Sequence, residues 1–252
     1  MKDTNRNNPS VEEIKVILRA ADELIGQGGK TLLAKILKGS REKRVLELDL
    51  DECPVYGYFK SEKIDVVKEK IDWMIDHKFL EIQYSGKLPM IIYTERGWII
   101  ERDQRVDEFL DEWQEWIKQG MQDVDMTYLK GRNREMLFLL LEKVYESGNQ
   151  AYIPYLKLWK QVDYKKVKAA IQETIEALEN QAPIDEEAIQ ERNNEINKLL
   201  KGYTPRDETL KCWECGERFV FTVGEQQFFK QKGFHWPKRC ESCRFDRKMQ
   251  LL

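Results

Sequence analysis

The sequence predicts a mainly α-helical chain with two small β elements, and three observations carry that expectation. Apolar residues recur at helical spacing in most segments up to about residue 200. Two β-rich runs follow the third helical pattern, and four of the five cysteines form two C-x2-C pairs near the end. With 252 residues, the chain has the length of one large unit or a few small ones.

Taken in order, Val11, Ile14, Ile17, Leu18, Ala21, Leu24 and Ile25 define a first helix, and Ser10 with Glu13 supplies a capping box in front of it. Gly26, Gly28 and Gly29 end it, and Thr31 to Leu37 starts a second, short helix. Ser61 to Lys78 predicts a third, with Ile64, Val67, Ile71, Met74 and Ile75 on one face. Phe79 to Tyr84 and Leu88 to Tyr93 alternate as strands joined by Ser85, Gly86 and Lys87, and Pro89 confines the second to a sheet edge. Three helices followed by a hairpin is the winged-helix order, expected over residues 1–100.

Beyond it the pattern is helical, with helices expected near 104–120, 132–147, 151–161, 164–180 and 185–201 and breaks at Gly120, Gly148 and Pro183. Residues 101–201 therefore predict an α-helical middle, a HEAT-like stack of helix pairs, although no fixed repeat period is found. Gly202 to Thr209, with Pro205, predicts a linker that opens the last module, 202–252.

Composition narrows the function classes. Charged residues make up 35% of the chain, yet 41% is hydrophobic and there are 7 Trp, 10 Tyr and 10 Phe, enough to bury a core. The longest apolar run, Met136 to Leu141, is far short of a membrane span, and the N-terminus shows no secretory pattern, so a cytoplasmic protein is expected, with association with the nucleoid as an option. The net charge of −3 hides a gradient: residues 1–98 balance, 99–200 carry a net −7, and 201–252 a net +4. Within the first segment, Lys30 to Arg44 holds six basic residues against Glu42. Screening confines surface fields to about 8 Å, so such a patch can bind phosphate on an acidic protein. Only two histidines are present, His77 and His235, and no nucleophile arrangement is apparent, so no enzyme is expected.

Cys212 and Cys215, then Cys240 and Cys243 after a 24-residue gap, carry the strongest chemistry. Two thiolates spaced by two residues reach one metal from a tight turn, and two such knuckles complete a tetrahedral S4 shell with no position left open for catalysis. Disulfides and a redox pair are the competing readings; they would need a secretory route or a thioredoxin-like setting. One structural Zn2+ per chain is expected, in a zinc ribbon whose small core comes from Phe219, Phe221, Phe228, Phe229 and Phe234. Cys53, next to Pro54, is expected to be a buried free thiol.

The stretch CWECGERFVFTVGEQQFFKQKGFHWPKRCESCR resembles a small bacterial zinc-ribbon family with the pattern C-x-x-C, F-x-F-x-x-x-E-Q and P-x-R-C-x-x-C-R. Residues 10–100 resemble the RQC domain of RecQ-type DNA helicases. The matching features are the L-x-x-x-L-x-G-S helix end, the basic segment after it, the Tyr56-Gly57 turn and the T-E-R-G that follows the wing. Together the two modules resemble the bacterial RQC-minor proteins, which implies DNA binding. GQGGKT at Gly26 to Thr31 mimics a phosphate loop, but Leu24 stands where such a loop needs glycine, so no ATP site is expected.

What the RQC resemblance implies is a phosphate grip made by Lys38, Gly39, Ser40, Arg41, Lys43 and Arg44. It also implies a wing tip at Tyr84, with Lys87 beside it, that abuts the last base pair of a duplex. The competing readings are a solvated basic loop and ordinary packing of Tyr84 against Tyr93. The expected function is a non-enzymatic nucleic-acid-binding adaptor that holds duplex DNA near forked or blunt ends and binds a protein through its helical middle. The alternative is a factor associated with RNA or the ribosome.

Overall fold

The computed structural model describes residues 8–203 and 205–249, apart from the side chains of Lys230, Gln231 and Lys248. The leader-free reading of the first residues therefore concerns positions outside the described residues. The chain divides into two compact units, 1–202 and 203–252.

The first unit opens with α1 (Val11–Asp22), capped as expected: Ser10 Oγ accepts from the Glu13 amide at 3.2 Å, and Glu13 accepts from the Ser10 amide at 2.8 Å. It ends before Leu24 and Ile25, which lie in the turn that follows. Next come α2 (Lys30–Lys38), a five-residue α3 (Lys43–Glu47) and α4 (Ile64–Asp76). The hairpin is β1 (Leu80–Ser85) and β2 (Leu88–Tyr93), antiparallel with Leu80 opposite Tyr93 and Tyr84 opposite Pro89. Gly86, at φ +61, and Lys87 form its two-residue turn.

The glycines of GQGGKT have a packing role. Ile91 on β2 donates to the Gly28 carbonyl at 2.9 Å and accepts from the Gly26 amide at 3.4 Å, so the loop pairs with the free edge of the hairpin. A Cβ on Gly29 would lie 2.5 Å from the Pro89 carbonyl oxygen. Lys30, the phosphate-loop lysine by analogy, is paired with Asp72 at 2.9 Å.

The structure corrects the start of the next helix. The sequence pattern begins it near 104, whereas α5 runs unbroken over Glu95–Gln119. Its cap is Thr94, whose hydroxyl accepts from the Gly97 amide at 3.3 Å, and Gly97 sits where a Cβ would come within 2.0 Å of the Phe79 carbonyl oxygen. The T-E-R-G motif is thus a helix cap plus a clearance that only glycine provides. Arg96 donates to the Leu199 carbonyl at 2.8 Å and lies over the Phe79 ring.

Helix α5 threads two cores. Ile100 belongs to the winged-helix core with Ile17, Leu18, Leu33, Ile36, Ile71, Met74, Phe79 and Ile91. Val106, Phe109 and Trp113 belong to a second core, built with α6 (Arg134–Glu146), α7 (Ile153–Val162) and α8 (Lys165–Glu179) around Leu140, Leu156, Trp159 and Ile171. Helix α6 packs on both α5 and α8, and α8 on α7. The stack goes no further: α9 (Glu186–Leu200) turns back to α5, Arg192 pairs with Glu142 and Glu146 on α6, and Ile196 and Leu200 enter the first core. Cys53 is buried there, as expected.

The second unit contains β3 (Glu208–Lys211), β4 (Arg218–Phe221), α10 (Val223–Gln231) and α11 (Glu241–Met249). The expected linker is shorter than its sequence suggests, because β3 begins at Glu208. Phe221, Phe228, Phe229, Phe234 and Trp236 form the aromatic cluster, with Phe229 and Phe221 edge-on at 5.2 Å. No helix among the described residues is long and apolar enough to cross a membrane.

Candidate metal centre and nucleic-acid interface

The four cysteines converge from two different local structures. Cys212 and Cys215 form the knuckle between β3 and β4, where the Gly216 amide donates back to the Cys212 carbonyl at 3.1 Å and Gly216 takes a φ of +76. Cys240 and Cys243 stand at the start of α11: the Arg244 amide bonds the Cys240 carbonyl at 3.0 Å, so this pair rides on a helical turn instead of a second knuckle. Their sulfurs all lie within 4.8 Å of one another, with Cys215 and Cys240 at 3.9 Å. Sulfurs about 2.3 Å from a tetrahedral centre would be about 3.8 Å apart, so the spacing fits one zinc.

Crowding splits the four thiols: Cys212 and Cys240 are lowered, and Cys215 and Cys243 are raised. The Cys215 amide is the largest influence that pulls Cys212 down to about 6, and the Ser242 hydroxyl, followed by the Cys243 amide, lowers Cys240. Cys243, beside Cys240, is pushed up to about 12. Thiolates this close repel one another until a cation neutralises them, which is the role of the metal. These four sulfurs hold one structural zinc; it ties the knuckle to α11 and leaves no ligand position for chemistry.

The basic patch is weaker than its sequence count. Lys30 pairs with Asp72, and Lys35 with Glu42 at 2.5 Å. The Lys38 ammonium donates to the Lys60 carbonyl. The amides of Gly39 and Ser40 donate to the Ile36 and Lys35 carbonyls, both at 2.9 Å, as the helix C-cap requires, so they are not free for phosphate. The Ser40 hydroxyl accepts from the Glu42 amide at 3.3 Å. Gly39 also abuts Gly57, where a Cβ would meet Gly57 Cα at 3.1 Å, which explains the Tyr56-Gly57 turn. What is left is Arg41, Lys43 and Arg44. Arg41 and Arg44 are exposed and have no carboxylate partner among the described residues. Lys43, 88% exposed, has a loose contact with Glu47 at 3.4 Å, too weak to hold it from another anion.

The wing tip projects. Along β1, exposure rises from buried Leu80 through Ile82 at 36% to Tyr84 at 62%, and Leu88 across the turn is 64% exposed. Tyr84 does not pack on Tyr93, whose hydroxyl donates to the Leu18 carbonyl at 2.8 Å. Lys87 is exposed at the turn. Arg44 and the hairpin are connected: Arg44 donates to the Gln27 carbonyl at 3.3 Å, Gln27 lies between the glycines that pair with Ile91, and Ile91 is two residues from Pro89, the partner of Tyr84. Ile82 and Leu88 were not singled out in the sequence; their alternation resembles that of any strand.

His77 stacks on Trp73 at 3.8 Å, a packing role. Of the other basic residues in the second unit, Arg239 pairs with Glu214 at 2.5 Å, and the side chains of Lys230 and Lys248 lie outside the described residues.

Comparison with known proteins gives two family matches. Residues 10–119 match the RQC domain, and residues 206–251 a probable treble clef domain. The ATP-dependent DNA helicase RecQ of Bacillus subtilis is 25% identical over 95 residues, 38% of this chain and 16% of the helicase. The chain thus spans about one sixth of the curated relative that it matches. No solved structure matches. The helix–hairpin order with its T-E-R-G cap, and the knuckle joined to α11 by four cysteines, together make residues 10–119 an RQC winged helix and residues 206–251 a treble-clef zinc domain.

Proposed function

We propose that this is a non-enzymatic DNA-binding adaptor whose winged helix holds duplex DNA near an end or a junction. An RQC domain and a zinc domain support nucleic-acid binding in general. The finer reading rests on one observation, the exposed Tyr84 at the end of a hairpin that is hydrogen-bonded to the loop behind Arg44. An aromatic ring that leaves the core can stack on a terminal base pair, while Arg41, Lys43 and Arg44 neutralise backbone phosphates. The phosphate contacts carry no base information, so binding tracks the form of the DNA more than its sequence. The helical part is where a protein partner belongs in this reading. It offers an open groove of about 470 Å3 between α6 and α8, lined by Phe138, Leu141, Tyr145 and Ala170.

The test is charge reversal. Lys43→Glu with Arg44→Glu should weaken binding to all duplex sequences alike and flatten the plot of log affinity against log salt by about 0.9 per lost contact. Unchanged affinity and slope would remove the grip from α3 and transfer it to basic residues of the zinc unit, such as Lys232 and Arg247. Structured RNA run in parallel decides between this reading and an RNA- or ribosome-associated role.

A further inference from the structure

The zinc unit exposes an unusual amount of aromatic surface beside its metal cage. Trp213, directly after the ligand Cys212, is 72% exposed, and Trp236 is 49% exposed. Both line one open cleft of about 870 Å3 with Lys211, His235 and Lys238. Tryptophan is normally highly buried, so two exposed indoles in a unit this small leave a large apolar area in water.

These rings are held in place. The Trp213 amide donates to the Lys238 carbonyl at 2.9 Å, which ties the knuckle to the segment after Trp236. Trp236 packs edge-on against the buried Phe221 with centroids 5.5 Å apart, and Pro237 next to it is buried. The Lys238 ammonium lies 4.6 Å from the centre of the Trp213 ring. The backbone at Trp213 is therefore tied down, Lys238 lies against its ring, and the aromatic cluster holds Trp236, so little backbone freedom is lost when a ligand arrives.

The charge of the cleft selects the ligand. Lys211 and Lys238 line it, and no carboxylate does so among the described residues. The nearby Glu214 is engaged by Arg239. A cationic ligand, such as a methylated lysine side chain seeking an aromatic cage, would be repelled by the two lysines. A polyanion that also presents flat rings fits both features. In a duplex those rings are stacked on one another and out of reach, whereas in a single strand they are free.

We propose that this cleft is a second nucleic-acid site, which stacks bases of a single strand on Trp213 and Trp236 and places its phosphates on Lys211 and Lys238. It does not depend on the winged-helix reading, because it uses residues of the other unit. Stacking of this kind tolerates any base, and DNA or RNA supplies the same chemistry.

The experiment uses the full zinc-loaded chain and fluorescence anisotropy with three labelled probes: an oligothymidylate of about 12 nucleotides, the matching oligouridylate, and an abasic phosphodiester of the same length. Trp213→Ala should weaken binding to one or both base-bearing probes by about 5- to 150-fold and leave the abasic probe unaffected. Lys211→Glu with Lys238→Glu should weaken all three and flatten the salt plot by about 0.7 per lost contact. Lys43→Glu with Arg44→Glu should leave oligothymidylate binding intact, which separates this site from the duplex grip. Zinc content is measured in each sample; if Trp213→Ala sheds the metal, the exposed lysine pair decides the matter. The proposal is overturned by native protein that binds no single strand, by equal loss of the abasic and base-bearing probes in Trp213→Ala, or by unchanged binding in the lysine pair.

Discussion

Glu101 is fully buried on α5, with Asp22 and Arg19 of α1 and its own neighbours Gln104 and Arg105 around it. Burial, with Asp22 adding to it, raises its carboxyl from the ordinary 4.5 to about 8, against the pull of Arg19 and Arg105. A carboxyl raised in this way is protonated in the native state at neutral pH and ionised in the unfolded chain. Its contribution is therefore fully present below about pH 4.5 and is lost as pH rises towards 8, by up to about 1.4 kcal/mol per pH unit. Glu101→Gln keeps the neutral shape and removes the titration. Thermal melts should show variant and native protein alike at pH 5 and the variant more stable at pH 8; identical curves at both would mean that Glu101 is already ionised. Nothing in the sequence marks this residue, one acid among 45. Gly97 was legible only as part of a family motif, because the contact that requires it comes from Phe79, distant in space until the hairpin folds.

At the scale of elements, periodicity located the helices, while the short α3 and the first turns of α5 escaped it. Lys43 to Glu47 has too few residues for a period, and Thr94 to Gly97 resembles the end of a hairpin because its cap and its glycine are turn residues too. Charge counting misjudged the basic segment for a similar reason: Asp72 and Glu42, which neutralise Lys30 and Lys35, reach them only through the fold. This division predicts different behaviour for neighbouring lysines. Lys38, turned onto the Lys60 carbonyl, serves the junction of α2 with the Tyr56 turn. Lys38→Ala should therefore lower stability by about 1 kcal/mol and leave the salt dependence of DNA binding unchanged. The charge reversal at Lys43 and Arg44 should flatten the salt dependence, in addition to any stability lost with the Arg44 bond to the Gln27 carbonyl. Denaturant titration and binding at several salt concentrations check both; a salt slope that falls in Lys38→Ala would return that lysine to the grip.

The whole molecule consists of two compact units, and the second holds the four-cysteine cluster. Its core is small and most of its aromatic residues other than Phe221 are partly exposed, so the zinc cage supplies much of its stability; metal-coupled folding of such sites is worth roughly 10 to 16 kcal/mol. A strong chelator should unfold residues 203–252 and leave the cooperative melt of the first unit in place, read by hydrogen exchange. Protection lost across both units would contradict the division. The four metal ligands were legible because spacing encodes them, whereas the helical turn under Cys240 and Cys243 was not, since their spacing suits a knuckle equally well. The wing was legible as a hairpin, but whether Tyr84 faced the core or the solvent was decided by how far the strand outruns the domain beneath it.

That projection carries the central claim, and one measurement tests it most directly: binding of Tyr84→Ala to forked or blunt-ended duplex and to closed-circular DNA, side by side. A ring that stacks on the last base pair is worth about 1 to 3 kcal/mol, so the account predicts about 5- to 150-fold weaker binding to ends, with circular DNA and the melting temperature nearly unchanged. Equal losses on ended and circular DNA, or none on either, would contradict it.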